Sequence, residues 1–119
     1  MTLKEFWTRS KEARQRFINA AISETPTDYY DGFSLLAKDN QHMIEAYFKK
    51  AQDERLEGVK TVGSKYIVEE LRREGMRETS EKRQFNINNN YTGSLARLAM
   101  RMFPKEFGEF FRIRQGWSK

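Results

Sequence analysis

Cysteine is absent from the 119 residues, which excludes disulfide scaffolds, cysteine-based zinc sites and thiol chemistry. Histidine occurs once, too seldom for a His-rich metal site. Without cysteine, the common nucleophile–base arrangements shrink to serine with lysine, or to carboxylate chemistry alone. Glycine occurs seven times and proline twice, and no glycine-rich phosphate loop is built from them; Gly93 and Gly108 stand isolated. Apolar runs of the roughly 18 residues needed to span a bilayer are missing, as is the apolar stretch of a signal peptide. The expectation is a soluble, cytoplasmic protein that is not an enzyme and holds neither cofactor nor metal.

What is present is charge and aromatic bulk. Charged residues make up 33%, aromatics 13% and apolar residues as a whole 38%. That is enough for one modest core in a single domain, 1–119. The net charge of +5 is distributed unevenly. Residues 1–60 hold ten Lys/Arg and ten Asp/Glu, whereas residues 61–119 hold twelve and seven. The surplus belongs to the stretch 83–119, where seven cations face only Glu106 and Glu109. A local excess of this kind suits a polyanionic partner, although it also serves as an ordinary solubilising surface.

The apolar spacing predicts mostly helices. Thr2 and Glu5 have capping-box spacing, and Leu3, Phe6, Trp7, Ala13, Phe17, Ala20 and Ala21 form one stripe of a helix running from about residue 3 to 23. Pro26 and the residues to Gly32 form a loop, in which Tyr29 and Tyr30 read as buried phenols tied to nearby acids. A second helical region covers about 33–57, with a break near Asp39-Asn40 and a stop at Gly58. Residues 58–63 read as a connector between subregions 1–58 and 62–119. Ser64 is expected to cap a helix ending at Gly75. Residues 84–88 alternate as a strand, residues 91–102 form a helix that stops before Pro104, and residues 110–115 alternate as a second, basic strand. The two strands are expected to pair, in either direction. The fold class is therefore mainly α with a small two-stranded β element: a compact helical domain whose C-terminal half runs helix-strand-helix-strand, in the manner of a winged helix or helix-turn-helix.

Within that half, one segment bears on function. Asn89, Asn90, Thr92 and Ser94 lie at a helix start, where free amides attract phosphate. Asparagine can read adenine edges and arginine guanine edges. Gly93 and Ala96 would let the outer face, with Arg97 and Arg101, approach a groove closely, as a recognition helix does. Arg112 and Arg114, on the basic strand, would contact phosphates. The same residues also suit plain helix capping, and Arg97 and Arg101 can pair with Glu106 and Glu109.

The strings Val62-Gly63-Ser64-Lys65-Tyr66-Ile67-Val68-Glu69-Glu70-Leu71-Arg72, Phe85-x-Ile87-Asn88-Asn89-Asn90-Tyr91-Thr92 and Ala96-Arg97, with Pro104, Phe110 and Arg112, resemble small phage and prophage proteins over roughly the C-terminal half. The resemblance implies a bacterial host-cell or phage protein with a winged-helix-like fold, and brings no catalytic residues with it. The leading expectation is duplex DNA binding through 91–102 and 110–115. The alternative is a phage protein–protein factor, either a host-defence inhibitor of the anti-CRISPR kind or a virion accessory factor, whose partner is an acidic or nucleic-acid-binding protein. Self-association through Met100, Phe110 or Trp117 is a further option, and no membrane partner is expected.

Overall fold

A computed structural model describes residues 1–75 and 89–112, with side chains from Tyr91 onward in the second stretch. The anticipated strand at 84–88, Arg114, Trp117 and the side chains of Asn89 and Asn90 lie outside the described residues. The remainder is mainly α with a two-stranded β element, as the apolar spacing predicts.

The N-terminal helix is two helices. Helix α1, Leu3–Trp7, opens with the expected capping box, and α2, Lys11–Glu24, starts afresh on Ser10, whose hydroxyl accepts the Ala13 amide. The second cap resets the helical phase. Ile18 and Ile22 therefore enter the core, while Phe17 stays exposed beneath the Arg9 guanidinium. A continuous helix would have sent Phe17 inward. A single 3-10 turn, Pro26–Asp28, leads to Tyr29, which is buried and stacked on Phe33, and to Tyr30, whose side chain is exposed. At Gly32 (φ 88°), a β-carbon would come within 2.7 Å of the Tyr91 hydroxyl, so any other residue would strain the backbone and have to displace the end of the Tyr91 side chain.

Helices α3, Phe33–Asp39, and α4, Gln41–Leu56, meet at the expected break on Asn40. Helix α4 ends in a Schellman motif: the Gly58 amide donates to Arg55 O and the Val59 amide to Glu54 O, with Gly58 at φ 100°. The chain then forms β1, Val62–Gly63, and turns directly into α5, Ser64–Arg73. After α6, Asn89–Met102, the Phe103-Pro104 junction starts the short α7, Pro104–Phe107, which leads to β2, Phe111–Arg112.

Strand β2 pairs in parallel with β1, Val62 opposite Phe111 and Gly63 opposite Arg112. The partner of the basic strand thus comes from the stretch read as a connector. Two residues give too short an alternation to register as a strand. The 58–62 boundary does not divide the interior either, because one apolar cluster includes Leu3, Phe48 and Ile67 together with Leu98 and Phe107. At its centre Phe103 is fully buried, in edge-to-face contact with Phe6, Phe48 and Phe107.

Helix α6 is the interior helix, packed against α2, α4, α5 and α7. A buried polar chain fixes its start. The Ser64 hydroxyl donates to the Thr92 carbonyl, which commits its proton, so the Tyr47 hydroxyl donates to Ser64 Oγ. Ser64 therefore does not cap its helix as expected. Gly63 holds the cap position, and the serine side chain ties α4 and α5 to α6.

Candidate functional site

The structure separates the expected nucleic-acid contacts from one another. Ser94 is fully buried, and its hydroxyl accepts the Tyr30 amide at 2.9 Å. It cannot meet a phosphate from that position. Ala96, expected on an open face, is likewise fully buried, and no residue from Tyr91 to Met100 is exposed. Thr92 is half-buried with its carbonyl engaged by Ser64, and Arg97 is half-buried. The picture of α6 as a helix docking 91–102 on DNA is corrected for residues 91–100, none of which is exposed. Such docking needs a free helix face, and small residues in this helix admit neighbouring helices instead. Arg101 is exposed, but its guanidinium meets Glu24 on α2 at 3.1 Å, not Glu106 or Glu109. Arg112 is exposed on β2, 3.4 Å from the Thr61 hydroxyl.

Arg112 and Thr61 lead to a different surface. A groove of about 770 Å³ runs between the end of α4 with the loop to β1 on one side, and α7 with the approach to β2 on the other. Arg55, Lys60 and Thr61 line the first wall, Lys105, Glu106 and Glu109 the second, with Phe110 below. The Schellman turn at Gly58 sets the first wall, and the Val62 amide, donating to Phe110 O at 2.8 Å, ties it to the second.

Charge in this groove is unequally committed. Glu106 is half-buried, and its Oε2 accepts the Leu3 amide at 3.0 Å, completing the first turn of α1. Its negative charge thus serves a helix N-terminus. Among the described residues, the exposed side chains of Arg55, Lys60 and Lys105 take part in no hydrogen bond, ion pair or ring contact, and neither does Glu109. Elsewhere some cations are neutralised: Arg14 by Glu45, Lys49 by Asp53, Lys50 by Glu74, Arg72 by Glu69 and Arg73 by Glu70. Lys4, Lys11, Arg16, Lys38 and Lys65 are as uncommitted as the groove cations but line none of its walls. The groove combines three uncommitted cations with Arg112 beyond its rim and one free carboxylate.

Arg55 and Lys60 are invisible to a charge count because they belong to a half whose charges cancel, and Lys105 lies within the surplus but in no motif that marks it. No local motif links these positions; only the β1–β2 pairing brings residues 55–61 beside 104–110. Among the described residues, no helix is long and apolar enough to cross a membrane. Neither a protein family, nor a curated protein, nor a solved structure matches the chain.

Proposed function

We propose that this chain is a small, non-enzymatic DNA-binding protein of the phage or prophage type, working in the cytoplasm of a bacterial cell, which contacts duplex DNA through the cationic groove between α4–β1 and α7. The observation that carries the reading is the set of three uncommitted cations, Arg55, Lys60 and Lys105, lining one groove. A cation already paired with a carboxylate gives up that pair to meet a phosphate. An unpaired one gives up only water and counterions, and the released DNA counterions favour association. Arg112, on the adjoining strand, extends the surface and keeps the phosphate-contacting role expected of the basic strand. The groove replaces the α6 face as the contact surface because the α6 residues 91–100 are not exposed.

The test is fluorescence anisotropy with a short labelled duplex, titrated over a range of salt. Binding at low salt that weakens steadily as salt rises is the expected outcome. Absence of binding at low salt refutes the reading.

A second reading, a phage protein–protein factor, is favoured by a separate feature. A shallow hollow of about 480 Å³ beside Trp7 is lined by His42, Ala46, Lys49 and Gln52. Trp7 is half-buried there, and its indole donates to Gln52 Oε1 at 3.1 Å. A host protein recovered on the immobilised chain after nuclease treatment, and lost with Trp7→Ala, would support that reading over the first.

A further inference from the structure

Base readout and backbone contact make different demands on a protein surface. Reading base edges takes an element that enters the major groove and side chains that reach the bases from it. The helix with the composition for that task, α6, is enclosed by α2, α4, α5 and α7, and has no exposed residue between Tyr91 and Met100. The lining of the cationic groove contains no asparagine or glutamine, and its one arginine, Arg55, lines a recess rather than an element that projects into a DNA groove. Phe110, at its floor, is 4% exposed and offers no platform on which a base could stack. Its volume of about 770 Å³ lies in the range of small-ligand pockets, ~300–1,000 Å³, too small to admit the width of a double helix. A single phosphodiester strand can lie along it. Cations stand on both walls, Arg55 and Lys60 opposite Lys105.

We infer that the groove clasps one sugar–phosphate strand of the duplex and binds DNA without regard to base sequence, with Glu109 acting as a built-in repulsive charge that limits affinity. This rests on the DNA-binding reading above and adds which part of the duplex is contacted and which residue opposes it. Arg55, Lys60 and Lys105 each neutralise a phosphate. Glu109 faces the same strand with a free carboxylate, and Glu106 opposes it less because its carboxylate already receives the Leu3 amide.

The experiment is competition anisotropy with the full-length protein, using unlabelled duplexes of one length and unrelated sequences, and repeated with Arg55→Ala, Lys60→Ala, Lys105→Ala, Glu109→Gln and Glu106→Gln. Equal competition by all sequences is expected. Each lost cation should lower the salt slope by about 0.9, so that a rise from roughly 50 to 200 mM salt costs the variant about 3.5-fold less affinity than the parent. Glu109→Gln should bind more tightly than the parent at low salt, and Glu106→Gln should gain less. Circular dichroism melts show which variants are folded at the assay temperature, and all three cation variants concern exposed side chains. A tenfold or greater preference for one sequence overturns the inference while leaving DNA binding intact. Unchanged salt slopes in all three cation variants also overturn it. If the parent binds no duplex at low salt, the DNA-binding reading fails, and this inference fails with it.

Discussion

Helix α6 and the groove beside α7 both belong to the basic C-terminal half, yet they use their charge in opposite ways. Helix α6 places Arg97 half-buried and Arg101 against Glu24, with Ser94 and Ala96 wholly enclosed. The groove leaves Lys105 uncommitted and adds two equally uncommitted cations from the neutral half. The difference teaches that a surplus in the sequence says how much charge a region carries, and that burial and pairing decide how much can meet a partner. If α6 is structural and the groove is the contact surface, substitutions should divide into those that lower stability and those that change binding.

The largest expected effect is on the structural side. Phe103 is fully buried against Phe6, Phe48 and Phe107 just where α6 turns into α7. Phe103→Ala should cost about 3–5 kcal/mol, the range for removing a buried aromatic ring. Urea denaturation measures this directly. A loss below about 1 kcal/mol would mean that this junction is not closed as described, and α6 would again become a candidate for docking.

Next comes the polar chain that holds the start of α6. Ser64→Ala removes the donor to the Thr92 carbonyl and the acceptor for Tyr47, leaving two buried groups unpaired. About 1–3 kcal/mol is expected. Tyr47→Phe should cost less, because Ser64 still donates to Thr92. Burial, partly offset by the hydrogen bond to Ser64, holds the Tyr47 phenol well above the ordinary tyrosine range. In the unfolded chain it ionises near 10. The stabilisation is therefore complete below that pH, and it is lost as pH rises further, because the unfolded chain releases a proton that the folded one keeps. The slope is at most about 1.4 kcal/mol per pH unit. Tyr29, raised chiefly by burial, acts in the same direction. Stability measured between neutral and alkaline pH should fall less in Tyr47→Phe than in the parent; parallel curves would show that the phenol is not buried.

Much of this architecture is legible in the sequence, for reasons that also mark where legibility ends. The Thr2–Glu5 box, the Asn40 break and the Gly58 stop are local devices. Their chemistry lies within a few residues, and all three are present in the fold. The second start at Ser10 is equally local, but it is masked by an apolar stripe that reads through it, and the phase error moves Phe17 inward and Ile18 outward. The two-residue strands and the groove are of another kind. Val62 finds Phe111 at a separation that no spacing rule connects, and Arg55 comes beside Lys105 only as a consequence. The amphipathic pattern of α6 likewise reads as two-sided. Glycine, alanine and serine look permissive toward a DNA groove, and they are equally permissive toward other helices.

A smaller effect tests what holds the groove's first wall. Gly58 sits at φ 100° with open space around its α-carbon, so Gly58→Ala meets no clash and pays only for the backbone conformation. About 1–2 kcal/mol is expected. Because the Schellman turn sets how residues 58–61 leave α4, the same variant should weaken DNA binding when measured well below its melting temperature. Phe103→Ala, measured the same way, should bind like the parent as long as it remains folded. Reversal of that pattern would place the interface away from the α4–β1 wall.

The smallest expected effect is the most discriminating. Arg101 is the exposed cation of α6, and its side chain and that of Glu24 are 39% and 65% exposed. An ion pair so open to solvent contributes about 0.2–1 kcal/mol at most, so Arg101→Ala should barely move a denaturation midpoint. Its effect on DNA binding separates the two surfaces cleanly. If the groove is the contact surface, Arg101→Ala keeps the parent's salt slope, whereas Lys105→Ala, only four residues along, lowers it by about 0.9. Equal slope losses would mean that the duplex covers the end of α6 as well as α7, and that Arg101 leaves Glu24 to reach it. Glu24→Gln would then tighten binding by freeing the arginine. Under the groove reading, that substitution leaves affinity unchanged apart from the small gain expected on removing any surface acid.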